Sequence, residues 1–236
     1  QISRETLGAF DISVAPLVSY WGFGPQEHSK FDSARVDSIR NFVGFRKLVN
    51  VLDSNRLPKG MKVDMNAIAQ GFTVDVIAEF LYKKGITNFL VEVGGELRTS
   101  GRNAEGKIWT IGIDKPQENL DAANRFQVIL ALDSMALATS GNYRKFWVDE
   151  NTGMKYVHTI NPKTGYPVKS RLLSATIIAD NAMEADAWAT VCMVVGLEEA
   201  IKLINENRSL LAYFVYSDIE GNWEVWQSPE LAKMIL

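Results

Sequence analysis

The sequence predicts an α+β fold, a single domain in which helices cover sheets. Apolar residues recur at helical spacing in some stretches and at strand-like spacing in others, interleaved along the 236 residues, which argues against an all-helical chain. No repeat of fixed period is visible. The 47% hydrophobic and 22% charged content is that of an ordinary globular protein, with enough apolar material for a real core.

The elements follow in chain order. Residues 10–21 space their apolar side chains as a helix does and stop at Gly22-Phe23-Gly24-Pro25, a strong breaker. A second helix is expected over 32–42. Residues 47–51 and 61–63 are short and strand-like, and helical spacing returns over 66–81. Lys83-Lys84-Gly85 closes that helix, with cations near its C-terminus and glycine just beyond. Residues 88–93 form a buried-type strand that turns at Gly94-Gly95 into 96–100. Further strands are expected over 109–113, 126–132, 156–159, 174–179 and 211–216. Asn181 followed three residues later by Glu184 has the form of a capping box and opens a helix over 182–195.

Charge and cysteine usage narrow the function classes. The formal net charge of -3, with both signs mixed along the chain, leaves no basic stripe for a nucleic-acid backbone. The single cysteine, Cys192, lies in an apolar run where a thiol behaves as a small buried hydrophobe, and it forms no internal disulfide, so the redox compartment stays open. No stretch is long and apolar enough to span a bilayer as a helix, and Gln1-Ile2-Ser3-Arg4 does not read as a signal peptide. A polar start without Met leads us to expect a processed or trimmed chain.

Four segments carry candidate chemistry, each with a plainer alternative. Val63-Asp64 through Gly71 runs from a strand end into a helix start, where free N–H groups and the helix dipole favour an anion; alternatively Asp64 or Asn66 only caps the helix. Ala138-Thr139-Ser140-Gly141-Asn142-Tyr143 reads as a loop between a strand and a helix, small enough for a phosphate or flat ring to approach the backbone, or as an ordinary turn. His158 through Gly165 places one of the two histidines at a strand edge beside a Pro-Asn-Gly turn, suited to proton exchange near neutral pH or to a structural hydrogen bond. Asp186 and Thr190 stand four apart on one helical face, Cβ atoms about 6 Å from each other, and a carboxylate with a hydroxyl at that spacing suits a hard cation. The alternative is a first-turn acid serving the helix dipole and a core threonine.

Phe10-Asp11, Pro16-Leu17-Val18 and Trp21-Gly22-Phe23-Gly24 precede these segments, and together with Val93-Gly94-Gly95 and Ala185-Asp186-Ala187 they occur in one characteristic order. In that order the chain resembles the ApbE family over nearly its whole length. The family's members are FAD:protein FMN transferases, once described as thiamine-biosynthesis lipoproteins. The resemblance implies an ApbE-like domain over 1–236, of mixed and antiparallel sheets flanked by helices in an alpha-beta roll, lacking the family's N-terminal segment with its flavin-touching methionine and tyrosine. It implies cleavage of the FAD diphosphate and transfer of FMN to a threonine or serine of an acceptor protein, releasing AMP. FAD hydrolysis and non-catalytic FAD binding remain as alternatives.

Carried across residue by residue, the resemblance makes Asp186, Thr190 and the Ala67 carbonyl ligands of Mg²⁺. It puts Phe10, Asp11, Asp64, Gln70, Thr139, Ser140, Gly141, His158 and Ile160 around FAD, and gives His158 and Asp186 catalytic roles. The flavin is expected where the Asp64 junction, the Ser140 segment and the His158 turn converge. Gln70 stands where relatives often carry Glu or Lys, and Asn161 where Asp is commoner. By the same analogy the acceptors are subunits of membrane redox complexes. The site of action is the periplasm or the outer face of the cytoplasmic membrane, with the chain peripheral to it and its precursor a lipoprotein.

Overall fold

Six antiparallel strands between residues 89 and 227, the central ones buried on both faces, form one sheet. They are β1 (Phe89–Val93), β2 (Glu96–Ser100), β5 (Ala136–Gly141), β8 (Leu172–Ala179), β9 (Leu211–Ser217) and β10 (Trp223–Gln227), hydrogen-bonded in the order β1-β2-β5-β8-β9-β10. Two further antiparallel pairs join β3 (Trp109–Asp114) to β4 (Phe126–Leu132) and β6 (Phe146–Val148) to β7 (Lys155–Val157). This computed structural model describes residues 1–24, 32–48, 56–115, 126–142, 146–148 and 155–236. It divides into two compact units, Gln1–Ala67 with Lys145–Lys169, and Ile68–Arg144 with Ser170–Leu236.

In the second unit one apolar cluster joins the large sheet to the β3–β4 pair. Leu97, Leu137, Ile178 and Val215 from the sheet meet Ile111, Ile113, Leu130 and Leu132, with Leu231 closing the layer. A separate cluster sets Val74 and Ala78 of helix α4 (Asn66–Lys83) against Phe89, Val91 and Ala136. Helix α5 (Ala182–Val195) lies across β5 and β8. Its side chains are buried nearly all round, and its alanines let the sheet approach closely. Helix α6 (Leu197–Glu206), which follows after Gly196, packs on α5 and β9.

The first unit has its own core of Leu17, Tyr20, Trp21, Val36, Val43 and Ile160. Helices α1 (Ile2–Glu5), α2 (Ala15–Tyr20) and α3 (Ser33–Arg40) are all short. The Trp21 indole N–H donates to the Gly165 carbonyl at 2.8 Å, and its ring stacks on Tyr156 with centroids 5.3 Å apart.

The α+β expectation holds, and several details differ. The helix expected over 10–21 starts as a 3-10 turn, Ile12–Val14, because the Asp11 side chain accepts from the Ser13 N–H and caps it. Residues 61–63 are no strand. Met61 N–H bonds Pro58 O in a turn, and an alternating pattern without a partner strand forms no ladder. Of the strand expected over 47–51, residues 49–51 lie outside the described residues, and Phe45–Leu48 is a 3-10 turn. Residues 138–141 form no loop. They are part of β5, paired in register with β8 as Thr139↔Thr176, Ser140↔Ala175 and Gly141↔Ser174; Tyr143 lies outside the described residues.

Candidate functional site

The start of α5 is built by side chains that satisfy its free N–H groups. Asn181 Oδ1 accepts from Glu184 N–H at 2.9 Å, as the capping pattern predicted. Asp75 of α4 takes the next two, accepting from Ala182 N–H at 3.0 Å and Met183 N–H at 2.9 Å. Arg98 of β2 holds Asp75 in place at 3.1 Å. The two helix starts come this close because residue 71 is glycine, where any Cβ would collide with the Ala182 carbonyl.

That approach brings the Gly71 N–H to Asp186 Oδ2 at 3.1 Å. Asp186 is buried, only 5% exposed. Loss of hydration pushes its carboxyl up to about 6, partly offset by the Gly71 hydrogen bond. Glu96, at the first position of β2, is 7% exposed, and its Oε2 has no hydrogen-bond partner among the described residues. Burial first, and then repulsion from Asp186, pushes Glu96 up to about 7. Among the described residues neither carboxylate has a cationic partner.

Thr190 follows Asp186 by one turn of α5, and its Oγ1 stands 3.4 Å from Ser140 Oγ on β5. Thr139 points to the other face of β5 and exchanges a 2.8 Å hydrogen bond with Thr176. Gly141 ends the strand. The Gln70 amide lies over Gly94 and makes a long 3.5 Å contact to the Val93 carbonyl. Gln70, Thr139, Ser140, Gly141, Asp186 and Thr190 thus belong to the second unit.

Phe10, Asp11, Asp64, Ala67, His158 and Ile160 belong to the first. Phe10 and Ile160 are buried apolar side chains, and Ile160 bridges Pro167. The Asp11 carboxylate is fully engaged, accepting from Ser13 N–H at 2.9 Å, Ser13 Oγ–H at 2.6 Å and Phe45 N–H at 2.7 Å. Asp64 Oδ1 accepts from Asn66 N–H at 2.8 Å, the capping alternative, while its own N–H donates to Ile12 O at 2.7 Å. His158 is half-buried, its ring steeply inclined to that of Phe23 at 69°, centroids 6.3 Å apart. Asn161 Oδ1 accepts from Lys163 N–H at 2.9 Å and Thr164 N–H at 3.3 Å, so the amide does the turn-capping work of the commoner Asp. An open cavity of about 500 Å³ in this unit is lined by Gly8, Asp11, Arg40, Phe45, Lys47 and Lys163 among others.

The second unit offers oxygen donors of the kind a hard cation takes: the buried Asp186 and Glu96 carboxyl groups, close enough for the one to act on the other, and the Thr190 hydroxyl 3.4 Å from that of Ser140. Among the described residues no group of three or more His, Cys, Asp or Glu stands together as a metal cage. Magnesium, which keeps waters and phosphate oxygens in its shell, does not require one. Glu96 and Asp75 are not among the site residues the sequence suggests, and Gly71 enters there only as the end of the Asp64 segment.

Residues 1–214 match the model of the ApbE family. FAD:protein FMN transferases of Klebsiella pneumoniae and Escherichia coli are 35% and 33% identical over the whole chain, which covers 67% of each. The chain thus spans about two thirds of the length of these relatives. The flavin transferase ApbE from Vibrio cholerae superposes with a TM-score of 0.80 at 31% identity, over 99% of this chain and 73% of that one. The apo form of Pseudomonas stutzeri flavinyl transferase ApbE gives 0.84 at 32%, over 99% and 71%.

Proposed function

The chain belongs to the ApbE family, and from that premise we propose that it is an FAD:protein FMN transferase, moving FMN from FAD to a Thr or Ser hydroxyl of an acceptor protein with release of AMP. The observation that carries this reading is the Asp186–Thr190 pair, a buried carboxylate with no cationic partner among the described residues and a hydroxyl one helical turn on. Asp186 and Thr190, with the Ala67 carbonyl, would hold Mg²⁺, which neutralises diphosphate charge and the charge developing on the departing AMP.

The remaining chemistry falls to the chain's own residues. His158 takes the proton of the acceptor hydroxyl on an imidazole nitrogen as that oxygen bonds to the FMN phosphorus. The bond from that phosphorus to the bridging oxygen breaks, and the bridging oxygen leaves with AMP. Asp64, Gln70 and the main chain near Ile160 bind and orient FAD. Asp11, its carboxylate engaged by Ser13 and Phe45, shapes the segment beside the flavin rather than meeting it with its acid group. The acceptors are subunits of membrane redox complexes, met at the outer face of the cytoplasmic membrane or in the periplasm by a chain anchored as a lipoprotein.

The test mixes the chain with FAD, Mg²⁺ and an acceptor peptide carrying a single Thr. Flavin fluorescence that survives denaturing electrophoresis, with a peptide mass raised by one FMN less water, is the expected outcome. AMP and free FMN with an unlabelled peptide would make the chain a hydrolase instead.

A further inference from the structure

We infer that Glu96 supplies a second carboxylate to the divalent cation at Asp186, so that the metal is held by two acids rather than one. This rests on the metal reading given above and adds a residue to it. Successive side chains of β2 alternate between its faces, so Glu96, Arg98 and Ser100 share one. Along that face α4 provides partners for two of them. Arg98 is matched by Asp75 at 3.1 Å and Glu79 at 3.5 Å, and the Tyr82 hydroxyl donates to Ser100 Oγ at 2.8 Å.

Among the described residues α4 gives Glu96 no such partner. One helical turn before Asp75 stands Gly71, which has no side chain to offer, and the group bound there is the Asp186 carboxylate. Glu96 Oε2 also lies close to the Gly94 backbone, 3.8 Å from where a Cβ on that glycine would stand. The result is an acid 7% exposed, one of its oxygens without a hydrogen-bond partner among the described residues, on the strand face whose next two side chains pair with α4, the helix whose Gly71 N–H holds the second buried acid. Burying an unpaired carboxylate is costly because it loses its hydration without compensation, and two neighbouring ones repel as well. A divalent, oxygen-seeking cation removes both costs at once.

The experiment titrates Mn²⁺ into the full chain without FAD, following the free-ion signal by electron paramagnetic resonance, for wild type, E96Q, E96A and D186N. Thermal unfolding is measured with and without the metal. E96Q is near-isosteric and removes a buried charge, so it is expected to keep the fold with an unchanged or higher metal-free Tm. Its Mn²⁺ affinity is expected to fall by about 10- to 100-fold, with a smaller metal-induced rise in Tm, and E96A shows the same loss. Wild-type affinity in E96Q and E96A, with binding lost in D186N, overturns the assignment of Glu96, leaves Asp186 as ligand, and makes Glu96 a buried protonated acid. Wild-type affinity in D186N sinks the metal reading itself, as does a wild type that takes up no Mn²⁺.

Discussion

Asp186 Oδ2 and the Gly71 N–H are joined by a 3.1 Å hydrogen bond across 115 residues of sequence. The bond exists only because α4 and α5 touch backbone to backbone at Gly71 and Ala182. Gly71→Ala tests that contact through the sign of its effect. In an unstrained helix interior, alanine is more stable than glycine by about 1 kcal/mol. Here the methyl meets the Ala182 carbonyl, and overpacking of about 1–3 kcal/mol works against the propensity gain. A lower urea midpoint is expected, together with weaker metal binding as the Asp186 carboxylate is pushed from its place. A raised midpoint would show that the helices have room there.

The pH dependence of the metal-free protein follows from the same pair. Burial raises Asp186 to about 6, and burial with Asp186 repulsion raises Glu96 to about 7. Between their unfolded values near 4 and these folded values, the native state binds more protons than the unfolded state. Stability therefore falls as pH rises through that window, opposite in sign to a salt-bridged carboxylate. The stabilising proton uptake is complete below about pH 4 and gone above about pH 7. Urea midpoints of the metal-free chain should accordingly drop between pH 5 and pH 7, after allowance for the exposed carboxylates. Mg²⁺, which binds the ionised form, should stabilise progressively more as pH rises. A midpoint that climbs across this interval without metal would mean that neither acid is buried as described.

The parts legible in the sequence are those whose cause is local. The cap of α5 is a side-chain bond over three residues, Asn181 to Glu184. The end of α4 is a Schellman closure, with Gly85 at φ 77° and the Ile86 N–H bonded to Leu81 O. Thr139 to Gly141 misled because small hydroxyl residues and glycine have turn propensity, whereas their strand conformation is imposed by β8 and the Thr139–Thr176 hydroxyl pair. Glu96 gave no signal because an acid after Gly94-Gly95 looks like a solvated turn residue. It becomes unusual only once α4 and α5 bury it. Asp186 and Thr190 stand on one face of α5 as their spacing predicts, while the hydroxyl of Ser140 near Thr190 comes from sheet pairing.

Asp11 is expected to be a stability residue before it is a ligand. Its carboxylate caps the Ile12–Val14 turn and also accepts the Phe45 N–H, tying two segments of the first unit together. Asp11→Ala removes a cap worth about 1–2 kcal/mol and a charge-assisted bond to Phe45 worth about 1.5–3 kcal/mol. A loss of about 2–4 kcal/mol follows, allowing for their overlap. Asp11→Asn should fall between, since its carbonyl can still accept from Ser13 while its amide faces the Phe45 N–H as donor to donor. Thermal unfolding orders the three proteins. Equal stabilities would mean that water replaces the carboxylate without cost.

His158 separates binding from transfer. If its imidazole takes the acceptor proton, His158→Ala should leave FAD affinity unchanged and slow FMN transfer by about 10²- to 10⁴-fold, the range for loss of a positioned general base. The defect should depend on the acceptor, because the base matters only while the nucleophile holds its proton. An acceptor peptide with Cys in place of Thr presents a nucleophile partly ionised near neutral pH, and the variant should recover part of its rate with that peptide as pH rises toward the thiol's pKa of about 8.5. Wild type should gain less from the exchange. Fluorescence titration with FAD and single-turnover labelling of the two peptides measure both quantities. Equal slowing with both acceptors would remove proton abstraction from the account of His158, and leave its packing against Phe23 as the reason for the loss.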